Sequence, residues 1–170
     1  MLTPESLSEI CVKCGMCCDG TLFDRAKIKG EEDEHLVGRL GLDVFSHADG
    51  KRYFRQPCPL FTGCCSVYQT KPYVCNTFFC EPLKKVQKGE MSFEKAEKLI
   101  NTTVELRNEI MEIASTTVDF KSYNIRQLYA EIDPTPSEAI KKYGKLLIKM
   151  IAIRVAMSGF QKKSKINSIV

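Results

Sequence analysis

The chain has 170 residues, a formal net charge of +4 at pH 7, and charged and apolar fractions of 27% and 44%. It is long enough to bury a core in one medium domain or two small ones, and its charge is too small to indicate nucleic-acid binding by itself. Only the count of nine cysteines departs from an ordinary globular composition.

No signal peptide or membrane segment is expected. The first ten residues, MLTPESLSEI, lack a basic region and an apolar region. The longest apolar-rich stretch, LLIKMIAIRVAM at 146–157, contains Lys149 and Arg154, and it is shorter than the roughly 20 residues that span a bilayer. We therefore expect a cytoplasmic protein, in which thiols stay reduced and clustered cysteines indicate metal rather than disulfides.

The first half of the chain is predicted to consist of short elements. Thr3-Pro4 begins a brief helix that ends at Cys11. A strand is predicted in TLFDRAKI (21–28), and a short helix with an acidic first turn in EEDEHLVGRL (31–40), whose acids we interpret as solvated. The segment VFSHADGKRYFRQ (44–56) predicts a hairpin, because Asp-Gly lies between two β-prone runs.

The second half is predicted to be helical. Ser92 is the expected N-cap of a long helix whose apolar face comprises Phe93, Ala96, Leu99, Ile100, Thr103, Leu106, Ile110 and Ile113. A shorter helix is expected in SYNIRQLYAEI (122–132). A capping box at 135–138 begins a third helix that runs to about Ser158, before a frayed tail at 161–170. The apolar face predicted for this third helix comprises Ile140, Tyr143, Leu147, Met150, Ile151 and Val155.

Charge and cysteine content divide the chain near Pro82. Residues 1–82 carry 9 basic and 11 acidic groups, whereas residues 83–170 carry 16 basic and 10 acidic groups and no cysteine. We predict an α+β protein in two parts. A small cysteine-rich metal-binding domain with short strands and loops spans 1–82, and a helical domain of two to three helices spans 83–170.

The nine cysteines form two groups. The first group follows the pattern C-x2-C-x2-C-C and consists of Cys11, Cys14, Cys17 and Cys18. The second group is more irregular and consists of Cys58, Cys64, Cys65, Cys75 and Cys80. Three cysteines at this repeat, closed by a distant fourth, suit an iron–sulfur cluster, whereas structural zinc more often uses two separated C-x2-C pairs. The spacing therefore favours an iron–sulfur cluster over zinc.

The adjacent pair Cys17 and Cys18 leaves the number of metal sites open. Successive side chains diverge, so these two are not expected to bind one ion in a mononuclear site; Cys18 serves a second metal, another iron of a cluster, or neither. Eight sulfurs suffice for two four-thiolate sites. A disulfide framework is disfavoured by the odd cysteine count, and a nucleophilic cysteine by the placement of His35 and His47, which we interpret as surface residues.

These motifs resemble the YkgJ-type cysteine-cluster family. The resemblance covers residues 11–80 and includes C-x2-C-G-x-C-C, then a C-P pair at 58–59, C-x2-Y-x2-K-P-x2-C and a final cysteine. It implies a zinc- or iron-chelating domain with Tyr68 and Pro72 as supports, and Lys71 stands where the family usually has Arg. The ligands that it implies are Cys11, Cys14, Cys17, Cys18, Cys58, Cys65, Cys75 and Cys80, and Cys64 lies outside the pattern.

Metal binding alone leaves the biochemical role open. A redox or electron-transfer role and a purely structural metal are both consistent with the motifs. The alternative is a component or relative of an S-adenosylmethionine-linked protein lysine N-methylase, because some flagellin lysine N-methylases carry a similar cysteine cluster. Such an enzyme would be an iron–sulfur-dependent methyltransferase, although the chain has no G-x-G-x-x-G loop.

The expected partners are a metal ion or cluster and, for the helical half, another protein. The lysines of that half at 141, 142, 145 and 149 fit the solvated face of an amphipathic helix, and no nucleic-acid-reading motif accompanies them. We therefore expect neither a nucleic-acid partner nor a membrane.

Overall fold

A computed structural model describes residues 4–117, 120, 124–132 and 136–161. Within these residues it contains seven α-helices and one three-stranded antiparallel sheet, which confirms the α+β class. The elements in chain order are α1 Pro4–Cys14, β1 Arg25–Lys27, α2 Gly30–Arg39, β2 Val44–Ser46, β3 Arg52–Arg55, a 3-10 turn at Tyr68–Thr70, α3 Tyr73–Thr77, α4 Glu81–Gln87, α5 Phe93–Ser115, α6 Ile125–Glu131 and α7 Pro136–Met157.

The chain divides into two compact units. One unit contains residues 11–78 with the sheet, and the other combines residues 1–10 with residues 79–170 and is helical. The division therefore falls between residues 78 and 79, and the first ten residues belong with the helical unit. The predicted division into 1–82 and 83–170 stays a prediction.

The predicted hairpin is confirmed in unit 11–78. Strand β3 lies between β1 and β2 and is antiparallel to both. Val44 is opposite Phe54, and Phe45 is opposite Tyr53. The turn contains Gly50 with a φ of 74°, as the Asp-Gly signal predicts. Strand β1 occupies only the later part of the predicted strand at 21–28.

A small apolar core lies between the sheet and α2. Its buried members are Ile28, Val37, Leu42 and Phe54. Cys58 and Cys75 pack against this core while remaining half-buried. The helix predicted at 31–40 is confirmed as α2, and its first turn is acidic as expected.

The long helices of the second half are confirmed. Ser92 Oγ accepts a hydrogen bond from the Lys95 N–H at 3.3 Å and caps α5 as predicted. The shorter helix is α6, and its N-cap Asn124 accepts from the Gln127 N–H at 3.0 Å. Helix α5 packs against α4, α6 and α7.

The apolar face predicted for α7 is wrong in three of its six members. The residues that α7 buries are Leu146, Met150, Ile153 and Met157, whereas Ile140, Ile151 and Val155 are exposed. Because α7 carries apolar side chains on two sides, its sequence periodicity does not distinguish the face that packs from the face that remains exposed. An irregular backbone at Tyr143, with φ of −121° and ψ of 16°, further shifts the periodicity.

Three sequence predictions lie outside the described residues. They are the N-cap at Thr3, the capping-box side chains at 135–138 and the tail at 162–170. No helix in the described ranges is long and apolar enough to span a bilayer.

Candidate metal centre

The first cysteine group lies at the end of α1 and in the turn that follows. Cys11 and Cys14 are three residues apart within this helix, so their side chains share one side of it. The helix was expected to end at Cys11, but it continues for another turn. Gly15 then changes the chain direction, and its carbonyl oxygen accepts hydrogen bonds from the Cys18 N–H at 2.8 Å and the Asp19 N–H at 3.0 Å.

A backbone hydrogen bond joins the two cysteine groups. The Cys58 N–H donates to the Cys18 carbonyl oxygen at 2.7 Å. This bond places residues separated by 40 positions side by side, and it is independent of any side-chain rotamer. The two groups that are distant in sequence therefore converge within unit 11–78.

The loop after Cys58 folds back on itself and presents Cys65. The Phe61 N–H donates to the Cys58 carbonyl oxygen at 3.1 Å, and Phe61 forms an isolated β-bridge with Cys65. The Ser66 N–H donates to the Leu60 carbonyl oxygen at 3.0 Å, and Ser66 Oγ donates to the same oxygen at 3.1 Å. These bonds fix the spacing between Cys58 and Cys65.

Gly15 and Phe61 form a second connection between the two groups. Gly15 has a φ of +61°, and a Cβ built there would lie 2.1 Å from Phe61 Cζ. Only glycine leaves room for the ring at this distance. The C-x2-C-G segment and the Cys58–Cys65 loop are thus in direct contact.

Asp33 fixes the position of the short helix that carries Cys75. Its side chain is buried and accepts hydrogen bonds from the Lys29 N–H at 2.9 Å and the Tyr73 N–H at 2.8 Å. Because Tyr73 is the first residue of α3, the carboxylate provides an acceptor for one N–H at the start of that helix. The sequence analysis treated the acids at 31–34 as solvated, and for Asp33 this was wrong.

The charge of neighbouring thiols contributes to the raised pKa values of Cys18, Cys58 and Cys75. The pKa of Cys18 is raised to about 12, and burial is the largest cause. Negative charge on three other cysteines contributes to this value, in decreasing order Cys75, Cys58 and Cys65. The pKa of Cys75 is also raised to about 12, chiefly by burial, with contributions from Cys58 and Cys65. Burial is again the largest reason for the raised pKa of Cys58, and Cys65 contributes.

Lys71 supplies positive charge to this neighbourhood. It partly offsets the effect of burial on the pKa of Cys11 and on the pKa of Cys75. Its Nζ lies 3.7 Å from the centroid of the Tyr68 ring, which is half-buried. The contact with Tyr68 therefore keeps the lysine beside the thiols. The charge of Lys71 lowers the pKa of both Cys11 and Cys75.

The structure brings together only part of the predicted ligand set. Cys18, Cys58, Cys65 and Cys75 are electrostatic neighbours, and Cys11 shares Lys71 with Cys75. Cys14 and Cys17 are half-buried members of the same unit. Cys80 belongs to the other unit, where it is buried at the N-cap of α4, and Cys64 is exposed.

The thiols are not arranged as a finished coordination shell. In the described part of the chain, no three or more Cys, His, Asp or Glu side chains are placed so that they could hold a metal ion. Of the two histidines, His35 is exposed, and His47 Nδ1 lies 3.2 Å from Asp49 Oδ1 in the hairpin turn. Any metal centre formed by these thiols would require their side chains to reorient.

Asp33 and Phe61 are the residues that sequence reasoning missed. Asp33 lies in an acidic run, where nothing distinguishes a buried carboxylate from its exposed neighbours Glu31 and Glu32. For Phe61 a signal was present, because a glycine follows directly after Cys14 and the close approach of another residue is one use of glycine.

No protein-family model, curated protein or solved structure matches the chain. The resemblance to the YkgJ-type family therefore stays an expectation based on the motifs alone.

Proposed function

We propose that this protein binds a metal centre through clustered cysteines of residues 11–78. The proposed ligands are Cys18, Cys58, Cys65 and Cys75, with Cys11, Cys14 and Cys17 beside them. An iron–sulfur cluster is the preferred centre, and zinc is the alternative. The observation that carries the proposal is the convergence of thiols from distant segments, which the hydrogen bond from the Cys58 N–H to the Cys18 carbonyl oxygen joins at 2.7 Å.

The chemistry of the donor set supports a cation at this place. Thiols whose pKa is raised by burial and by one another remain protonated near neutral pH, and several thiolates together require positive charge to balance them. Thiolates are the soft ligands that zinc and iron–sulfur clusters prefer. A bound metal centre would supply that charge and displace the protons, so that metal affinity would fall as the pH is lowered.

Unit 11–78 also has a structural reason to bind metal. Its core cluster has only four buried residues, Ile28, Val37, Leu42 and Phe54. Units of this size commonly need a metal or disulfides in addition to such a core. In the reducing cytoplasm, where we place the protein as part of this proposal, a metal is the suitable crosslink.

The first test is elemental analysis of full-length protein purified without oxygen. Iron with equivalent acid-labile sulfide and a dithionite-bleachable visible absorption would identify an iron–sulfur cluster. Zinc without colour would identify the alternative centre. Protein that contains neither metal after expression in supplemented medium, and takes up neither on reconstitution, would contradict the proposal.

Cysteine variants test the ligand set. Cys18→Ser and Cys75→Ser should each lose metal, whereas Cys64→Ser is the matched control, because Cys64 is exposed. A comparison of Cys14→Ser with Cys75→Ser decides the number of sites. Complete loss in both variants indicates one shared centre, and partial loss in each indicates two. Cys80→Ser tests whether the predicted ligand from the helical unit takes part.

The role of the metal requires separate measurements. A reversible midpoint potential supports electron transfer, and unfolding on chelation without redox activity supports a structural metal. The lysine N-methylase alternative requires S-adenosylmethionine binding by the metal-loaded protein, measured by calorimetry; absence of binding would rule it out.

A further inference from the structure

Helix α7 has a second apolar face that is exposed among the residues that the structure describes. Its four members are Ile140, Ile148, Ile151 and Val155, whose exposed fractions are 61%, 70%, 65% and 68%. Single exposed apolar side chains are common on protein surfaces, but a contiguous set marks an interaction site. We call these four residues the isoleucine stripe.

The stripe has the spacing of a helix-docking surface. Ile148, Ile151 and Val155 follow each other at three and four residues, and Ile140 lies eight residues before Ile148. Ile148, Ile151 and Val155 therefore share one side of the helix and form a narrow row along it. Ile140 precedes the irregular backbone at Tyr143 and adds exposed apolar surface without being placed on the row by this spacing. β-Branched side chains lose little rotamer freedom when they are covered, so the row is a stiff surface. The opposite side of α7 is the buried one, with Met150 and Ile153 in the core.

Positive charge borders the stripe on both sides. Lys145 and Arg154 are exposed and lie on opposite borders of the row, and Lys141 is exposed next to Ile140. From this combination we propose that the isoleucine stripe docks an acidic amphipathic helix of a partner protein. The apolar side of that helix covers the stripe, and its flanking carboxylates meet the three cations.

A second copy of the chain fits this surface less well. Two stripes packed against each other would bring Lys141, Lys145 and Arg154 of both copies together, and like charges across an interface are unfavourable. The row is also narrow, whereas a stable dimer buries roughly 800 Å² on each partner. One helix is the occupant that matches this width.

An anionic membrane also fits less well, because an acidic row lies close to the lysine border. Lys149 Nζ pairs with Glu109 Oε2, and Glu105 and Glu112 are exposed on the same side of α5. A flat anionic bilayer would approach these carboxylates as well as the lysines. The stripe itself contains no Trp, Tyr or Phe, which are common in helices that lie in the membrane interface.

The test uses the full-length protein and a designed probe. The probe is a labelled helical peptide of 18 residues with leucines along one side and glutamates on both flanks. A second peptide has the same composition in scrambled order, and a third has lysines in place of the glutamates. Because the protein has no tryptophan, anisotropy of the labelled peptide is the readout. We expect binding of the glutamate-flanked peptide at least about tenfold tighter than that of the other two, weakening as salt increases.

Two variants examine the apolar and the charged parts separately. Ile148→Ser with Ile151→Ser should weaken binding about tenfold or more, because the probe then loses much of the apolar surface that it covers. Lys141→Glu with Lys145→Glu keeps the stripe and should exchange the preference, so that the lysine-flanked peptide binds better. Asn101→Ser with Thr102→Ser on the exposed side of α5 changes no charge, is the matched control and should bind as the unmodified protein does. Circular dichroism checks that each variant is folded.

Three results would overturn the proposal. The first is equal binding of the glutamate-flanked and scrambled peptides. The second is stripe-dependent binding to phosphatidylglycerol vesicles without binding of the peptide, which would indicate a membrane surface. The third is a stripe-dependent dimer in sedimentation experiments, which would assign the stripe to a second copy. None of these results depends on the metal content of residues 11–78.

Discussion

At the scale of single residues, the contact between Gly15 and Phe61 leaves no space for a side chain at position 15 of the candidate metal centre. We predict that Gly15→Ala destabilises unit 11–78 and reduces its metal content. A Cβ at this position would lie 2.1 Å from Phe61 Cζ, in a backbone with φ of +61°. The strained φ costs about 1–2 kcal/mol, and the overlap costs a further 1–3 kcal/mol, approximately as in overpacked cores. Chemical denaturation followed by far-ultraviolet circular dichroism measures the sum.

Gly41→Ala is the control for this prediction. Gly41 has a similar φ of +68°, but a Cβ there would meet nothing within 4 Å. The control should therefore show the backbone cost without the overlap. Equal destabilisation by Gly15→Ala and Gly41→Ala would show that the ring contact is not important. If the contact is real, Phe61→Leu should partly restore the stability of Gly15→Ala.

Asp33 is the second residue on which the candidate metal centre depends. We predict that Asp33→Ala lowers the free energy of unfolding by roughly 2–4 kcal/mol, because two backbone N–H groups lose their acceptor. It should also weaken metal binding, since the helix that begins at Tyr73 and carries Cys75 is no longer held at its start. Asp33→Asn retains one acceptor oxygen and should show a smaller effect on both measurements. Unchanged metal affinity in Asp33→Ala would contradict this positioning role.

At the scale of elements, the packing face of α7 is tested by two isoleucines on the same helix. Ile153 is fully buried, whereas the side chain of Ile151 is 65% exposed. We predict that Ile153→Ala lowers the free energy of unfolding by about 2–5 kcal/mol. Ile151→Ala should change it by less than about 0.5 kcal/mol. Thermal or urea unfolding measures both losses. A larger loss for Ile151→Ala than for Ile153→Ala would support the packing face predicted from sequence.

The contact between α6 and α7 gives a prediction about pH. The Tyr129 hydroxyl donates to the Met150 carbonyl oxygen, and burial raises the pKa of Tyr129, with Arg154 offsetting part of the rise. The folded state thus favours the neutral phenol, so its stabilisation is complete below the unfolded pKa of about 10 and is lost as the pH rises through the folded pKa.

Tyr129→Phe removes both the hydrogen bond and the ionisable group. We predict a loss of about 1 kcal/mol near neutral pH, the typical net value of one hydrogen bond. The difference between the unmodified protein and the variant should then shrink as the pH rises above about 10. Urea unfolding at several pH values measures this difference. A gap that stays constant through this range would show that the phenol is not responsible.

At the scale of the whole molecule, the two compact units should respond differently to metal removal. Residues 11–78 contain the candidate ligands and a small core, whereas α5 and α7 pack through their own apolar side chains. We predict that a chelator increases amide hydrogen exchange in β3 and α2 while α5 and α7 remain protected. The Cys64→Ser variant keeps the proposed ligands and should respond to the chelator as the unmodified protein does. Loss of protection along the entire chain would instead indicate a single cooperative unit.

Local signals in the sequence were sufficient for most of the secondary structure. Asp-Gly between β-prone runs identified the hairpin, and Ser92 identified the start of α5. Such signals act through neighbouring residues, so they are readable without knowledge of the fold. The density and spacing of the cysteines likewise predicted a thiol-rich region, which the convergence of Cys18 with Cys58 supports.

Only the tertiary structure determined which of several physically similar residues are buried or lie together. The face of α7 that packs, the acid at 31–34 that is buried and the cysteines that lie together all depend on segments distant in sequence. Asp33 accepts from Tyr73, 40 residues away, and Ile153 rather than Ile151 lies in the core. The sequence by itself determined the types of element and the chemistry available, because these follow from local propensity and composition. Burial and proximity depend on the folded chain as a whole, so the structure alone selected the residues that use that chemistry.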